Sequence, residues 1–190
     1  MSYTCCTIIK GVCSKLSKCL SVLYKSNTVL NKSSLVLLYN SLFLPYLSYC
    51  SEVWGLAFKT SLECVCILQR KAVRVITKTS RRANILPMFL HHNFLTFHDI
   101  VKSKVCKLLY KRYKGVLSSE LMCKFSLFDC VRRNGRVFQV QYCRTTLKSQ
   151  CISVRGPKLF NALPAYIQNA NNVKRFNILI KRHLVTAYID

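Results

Sequence analysis

Ser33–Arg82 reads SSLVLLYNSLFLPYLSYCSEVWGLAFKTSLECVCILQRKAVRVITKTSRR, and the rest of the chain is organised around it. Its first half begins as an apolar helix from about Leu35, entered through Ser33 or Ser34, with Leu38, Tyr39, Leu42 and Phe43 expected inside. Pro45 has no amide proton and its ring collides with the preceding turn, so the helix is expected to kink or stop there. Tyr46, Tyr49, Trp54 (the only tryptophan) and Gly55 follow. The rings continue the apolar face, which predicts core packing; stacking on bases is the alternative use of the same surfaces. Thr60-Ser61-Leu62-Glu63 has capping-box form and opens a second helix.

That second helix is the most informative element. At about 100° per residue, Leu62, Val65, Cys66, Val73 and Ile76 share one side. Arg70, Lys71, Arg74, Lys78, Arg81 and Arg82 fall within an arc of about 120° on the other, if the helix reaches Arg82. Glu63 is expected at the helix start, away from this row, leaving the cations uncompensated. Like charges four residues apart repel, and a phosphate backbone would relieve that repulsion.

The flanks follow the same pattern. Ile9, Val12, Cys13, Leu16, Cys19, Leu20 and Leu23 repeat at helical spacing across residues 5–26, with Asn27–Lys32 as the turn. Pro87 suits the first turn of a short helix. Thr96 and Asp99 cap a helix expected from Phe97 to about Tyr113, with Ile100, Val101, Lys104, Leu108 and Leu109 on its inner side and Gly115 at its end. Ser118–Lys124 is read as one more short helix. From about Phe125 the texture turns basic and irregular: Asn134-Gly135 marks a turn, and Val137–Val140 suits a loop or short hairpin. A last helix is expected over about Val173–Tyr188, burying Phe176, Leu179, Ile180 and Leu184. The fold class is therefore mainly α: a small helical bundle over 1–124, then a basic segment with a C-terminal helix over 125–190.

Composition narrows the chemistry. The 190 residues hold 51% hydrophobic side chains, enough for a modest core, and 30 Lys plus Arg against 6 Asp plus Glu, a formal charge of +24. Such an excess attracts polyanions, nucleic acid first and an anionic membrane surface second. The 12 cysteines form no Cys-x-x-Cys, and Cys123, Cys130, Cys143 and Cys151 lack zinc-knuckle spacing. They are read as reduced thiols of an intracellular protein, with nucleus or cytoplasm left open. His91, His92 and His98 are read as surface or capping residues, so neither metal nor cofactor is expected. Leu35–Ala57 is apolar, yet Asn40, Ser41, Pro45, Ser48, Ser51 and Glu52 interrupt the ~20 predominantly apolar residues that a span needs.

Leu38-Tyr39, Ser41-Leu42, Pro45 to Tyr49, Val53 to Gly55, and then Leu68 to Lys71, Ala72, Arg74 and Ile76 stand at fixed spacings. They resemble the LYxSLxxPYLSYxxxVWG and xLQ(K/R)(K/R)AxRxI patterns that follow the palm of non-LTR retrotransposon reverse transcriptases, the jockey-like LINE group especially. Lys15-Leu16-Ser17 resembles the start of their thumb. Arg144-Thr145, Ile152-Ser153 and Gly156-Pro157-Lys158-Leu159-Phe160-Asn161-Ala162-Leu163-Pro164 resemble their C-terminal box, with Phe160 where tryptophan is usual. The resemblance covers about Ile8 to the C-terminus. It implies a thumb-like region and a post-thumb segment that grips the backbone of RNA or an RNA–DNA duplex.

The same resemblance puts polymerase activity in doubt. Nucleotidyl transfer needs clustered aspartates for two metal ions, and in the enzymes this chain resembles they sit in an Ala-Asp-Asp motif of the palm, upstream of the segment that matches here. Glu52, Glu63, Asp99, Glu120, Asp129 and Asp190 include no adjacent pair. Neither a phosphate loop nor a nucleophile elbow is present, so no enzyme is expected from this chain on its own. Three readings stand: a catalytically incomplete reverse transcriptase fragment retaining backbone binding, a membrane-associated basic protein anchored by residues 35–57, and a host-used protein-interaction module.

Overall fold

Residues Ser2–Ser26 form one long helix (α1) whose Ile9, Leu16, Leu20 and Leu23 are buried, at the spacing that the sequence predicts. The structure is a computed structural model and describes residues 2–80, 82–117, 125–128 and 137–188. The expected helix at Ser118–Lys124 and the Asn134-Gly135 turn lie outside the described residues. The chain is mainly α-helical and divides into two compact units, Met1–Ile100 with Val185–Asp190, and Val101–Leu184.

In the first unit, α2 (Lys32–Leu38) is capped by Asn31, whose side-chain oxygen accepts from the Ser34 amide at 2.9 Å. The expected serine caps give way because Asn31 reaches that amide first; Ser33 Oγ donates to the same oxygen at 3.0 Å. The helix then passes Pro45 without stopping. Tyr39–Phe43 widens into π-helix, with the Leu44 amide donating to the Tyr39 carbonyl, and α3 (Leu44–Ser48) restarts with Pro45 in its first turn. There the missing amide has no helical partner to lose, and the extra residue relieves the ring's clash. The widening also resets the faces. Leu35, Tyr39, Phe43 and Leu47 are buried, while Leu42, expected inside, is exposed and Leu38 is half-buried.

Core packing of the three rings after Pro45 holds for Trp54 alone, in α4 (Ser51–Trp54). Trp54 is buried, stacks on Phe97 at 5.1 Å and donates from its indole to the Tyr49 carbonyl at 2.9 Å. Using its carbonyl in this way leaves the Tyr49 side chain outside, 76% exposed, and Tyr46 is also exposed. Cys50, in the left-handed region at φ 47°, makes the turn between them.

The longest buried face after α1 belongs to α5 (Lys59–Thr77), with Leu62, Val65, Ala72, Val73, Val75 and Ile76 inside. It packs along α1. Next come α6 (Leu86–His91), with Pro87 in its first turn, and α7 (Phe97–Tyr113), both as the sequence predicts. The Thr96 hydroxyl donates to the Asp99 carboxylate, which also accepts from the Tyr188 hydroxyl, so this cap doubles as an anchor for the chain end. Along α7 the buried side chains are Phe97, Ile100, Val101, Val105, Cys106, Leu109 and Tyr110. Lys104 is exposed and Leu108 half-buried, against expectation, because Val105 and Cys106 occupy the inner positions. Gly115, just past the end of α7, takes the left-handed region at φ 71°.

In the second unit, the stretch expected as loop or short hairpin up to Arg155 carries α8 (Thr146–Ser149) and the start of α9 (Ile152–Asn161); α10 (Ala165–Gln168) and α11 (Val173–Thr186) follow. Gly156 lets α9 lie directly on α7, since a Cβ there would stand 2.9 Å from Leu109 Cδ1. Tyr110 stacks on Phe176 at 4.3 Å and donates to the Ala170 carbonyl at 2.6 Å. Asn161 accepts from the Val137 and Phe138 amides at 3.2 and 3.1 Å and donates to the Phe138 carbonyl at 2.8 Å. Leu127 and Phe138 form an isolated antiparallel bridge, the hairpin-like pairing expected there. Gly156 and Asn161 of the C-terminal box thus have packing roles. Phe176 and Ile180 of α11 are buried, while Leu179 and Leu184 are only partly so.

Candidate nucleic-acid interface

What fixes the rotation of α5 is a polar residue within its apolar stripe. Gln69 is buried, and its amide donates to the Tyr39 hydroxyl at 3.0 Å and to the Leu95 carbonyl at 2.9 Å. Its oxygen accepts from the Phe97 amide at 2.7 Å. A buried side-chain amide with these groups satisfied ties α5 to the π-turn and to the start of α7, because any other rotation would orphan them.

With that face held inward, Arg70, Lys71, Arg74 and Lys78 line a groove of about 660 Å³ together with Ile67, Val75 and Thr79. The opposite wall is Tyr24 of α1 and Asn27 just beyond it. Two groups among these residues are buried with no hydrogen-bond partner among the described residues, Arg74 Nε and Asn27 Oδ1. The first can donate and the second can accept, so the groove carries unspent polar capacity beside its charge.

The basic row is shorter than the sequence predicts. Lys78 adopts the left-handed conformation at φ 53°, ψ 35°, and the Thr79 amide closes back on the Arg74 carbonyl at 3.2 Å. The Lys78 amide reaches the Arg74 and Val75 carbonyls, completing the cap. Arg82 therefore lies beyond the helix and is exposed, and Arg81 lies outside the described residues. The arc on α5 consists of four cations.

The capping box does not form either. Phe58 is the N-cap and makes no side-chain cap bond, so Thr60 is already inside the first turn. Glu63 is thereby free to pair with Arg70 two turns on, as it does in a direct ion pair. The expectation that Glu63 stands apart from the basic row was wrong: seven residues bring a side chain back to nearly the same helix edge. The pair is solvent-exposed, with side chains 41% and 56% accessible, and contributes little to folding.

Cys66, expected inside, is half-buried with its thiol 3.6 Å from His98 Nε2; burial pushes that thiol up to about 11, with Glu63 adding to the shift. His92 stacks on Phe94 at 5.5 Å, and burial, Lys32 and His91 lower its pKa. Among the described residues, no three His, Cys, Asp or Glu side chains gather as a metal site, and no helix is long and apolar enough to cross a membrane.

No family model, curated protein or solved structure matches the chain.

Two features of the site escaped the sequence reading. Gln69 lies between Val65 and Val73 on the apolar stripe, and a polar residue at that position signals a buried hydrogen-bond hub. Tyr24 and Asn27 carried no such signal, since only the packing of α1 along α5 makes them a wall.

Proposed function

We propose that this chain is a catalytically incomplete fragment of a retrotransposon RNA-directed DNA polymerase that binds nucleic-acid backbone, without sequence preference, through the α5 groove. One observation carries the binding half of this reading: four cations surround one groove, and among the described residues only Arg70 of the four is paired with a carboxylate. A row of that kind on a chain of charge +24 has more to gain from a polyanion than from water. Arg74 Nε and Asn27 Oδ1, buried and without a partner among the described residues, give a sugar–phosphate strand a donor and an acceptor to engage. The polymerase origin rests on the spaced residues from Leu38 to Ile76 and on the Gly156–Pro164 box.

The test is a salt titration of the full chain against an RNA–DNA hybrid and a duplex DNA. With three or four phosphate contacts, the logarithm of affinity should fall with that of salt at a slope of about −3 to −4. Replacing Arg70, Arg74 and Lys78 by glutamine should flatten the slope by about 2 to 3 while leaving the helical signal intact. A slope near zero, or one that the triple variant leaves unchanged, refutes the groove as the binding surface.

A protein-interaction role is the second reading, favoured by Leu37, Tyr49 and Val53, which are apolar and exposed on α2 to α4. An immobilised chain that retains one defined partner, and loses it with Tyr49→Ser and Val53→Ser, would favour that role over backbone binding.

A further inference from the structure

Every cysteine whose side chain is described is a free thiol, but two of them do not stand alone. Cys13 in the middle of α1 and Cys64 in the first turns of α5 bring their sulfurs to 3.0 Å, closer than two unbonded sulfurs ordinarily rest. They are far apart in sequence and meet because α1 and α5 lie side by side. Further along the same helices, Tyr24 and Val75 line one groove, so the two helices run in the same direction and the thiols sit upstream of the basic row.

We propose that Cys13 and Cys64 are a thiol pair that closes to a reversible disulfide across α1 and α5. Neighbouring residues favour this pairing over others. Cys66, next on α5 but one, is turned to His98, and Cys19 donates to the Leu42 carbonyl at 3.6 Å. Cys6 and Cys50 are exposed, with no sulfur beside them among the described residues.

The oxidant is an external low-molecular-weight disulfide. Cys64 is the exposed member, and its thiolate attacks one sulfur of the oxidant, forming a mixed disulfide and expelling the first thiolate. Cys13 follows. Burial first, and then the hydrogen bond and charge of Cys64, push its thiol up to about 12 in the reduced pair. Once Cys64 is capped, its charge and its thiol are gone, so two of those three causes vanish and Cys13 deprotonates more readily. The Cys13 thiolate then attacks the Cys64 sulfur and expels the second small thiolate. The protein loses two protons and two electrons, and the oxidant becomes two thiols. The two sulfurs close from 3.0 Å to the ~2.05 Å of the bond.

The test uses the full reduced chain, oxidised glutathione, alkylation of the remaining thiols with N-ethylmaleimide and peptide mapping by mass spectrometry. A peptide pair joining Cys13 to Cys64 is expected, released by dithiothreitol, while Cys6 and Cys50 carry only glutathione or the alkyl group. Cys64→Ser should abolish the linked pair and leave Cys13 alkylated. In denaturant the preference for this pair should disappear, which separates placement by the fold from intrinsic reactivity. Three outcomes overturn the proposal: Cys13 and Cys64 both fully alkylated, Cys64 stopping as the glutathione adduct, or Cys64 joined to another cysteine. The wild-type map alone decides among them, so the result does not depend on how a variant folds.

Discussion

Replacing Gln69 with leucine would keep the bulk of the side chain and remove its polar end. Two buried groups and a part-buried one would then lose their partner: the Tyr39 hydroxyl, the Phe97 amide and the Leu95 carbonyl, bonded at 3.0, 2.7 and 2.9 Å in the native protein. Leaving a buried polar group unsatisfied costs about 1–3 kcal/mol, and the lower half of that range applies to the hydroxyl, which can turn, and to the part-buried Leu95 carbonyl, so the three cost about 3–7 kcal/mol. The added apolar burial returns about 1 kcal/mol. The net loss is about 2–6 kcal/mol, a large share of the 5–15 kcal/mol that typically holds a domain. Guanidinium unfolding followed by the fluorescence of Trp54 measures it. Trp54 is the only tryptophan and stacks on Phe97, the residue whose amide Gln69 holds, so the signal reports on the right unit. Adding Tyr39→Phe removes one of the orphaned groups, and the double variant should recover about 1 kcal/mol relative to the sum of the single changes. A loss below about 1 kcal/mol, or strict additivity with Tyr39→Phe, would refute the claim that Gln69 fixes the rotation of α5.

Two further outcomes are expected. Glu63→Gln releases Arg70 from its ion pair, so the salt slope should steepen by up to about 0.9 with duplex DNA. Because the pair is exposed, stability should move by no more than about 1 kcal/mol in the same variant; an unchanged slope would take Arg70 out of the binding surface. Tyr39 is fully buried, which pushes its hydroxyl up to about 12, against an opposing hydrogen bond from Gln69. The unfolded chain ionises this residue first, near its ordinary value of about 10, so the stability it contributes is complete below about pH 10 and is lost as pH rises towards about 12. Denaturation midpoints taken between about pH 8 and about pH 11 should decline less steeply in Tyr39→Phe, and an identical decline would mean that Tyr39 ionises in the fold as it does in water.

Much of the helical fold is legible in the sequence. Apolar residues three and four apart marked α1, α5 and α11 because a helix brings those positions to one face whatever lies opposite. Pro87 and the Thr96–Asp99 cap marked helix starts, since a missing amide or a short hydroxyl acts within one turn. For the same reason the basic face of α5 could be read in advance at Arg70, Lys71, Arg74 and Lys78.

The rest depended on what stands across from each residue. Whether Pro45 breaks a helix or is absorbed by a π-turn rests on the packing of Tyr39 and Phe43, which the local sequence does not contain. Glu63 could cap or pair, and the choice followed from where α5 began. The end of that helix at Lys78, which removes Arg82 from the row, follows from a cap closed by the Lys78 and Thr79 amides and by no glycine. The length and spacing of the charged row were thus written into the chain, because helical periodicity is local. The groove, its α1 wall and the Cys13–Cys64 contact were decided by tertiary structure alone, because they exist only where two helices distant in sequence are pressed together to bury their apolar faces.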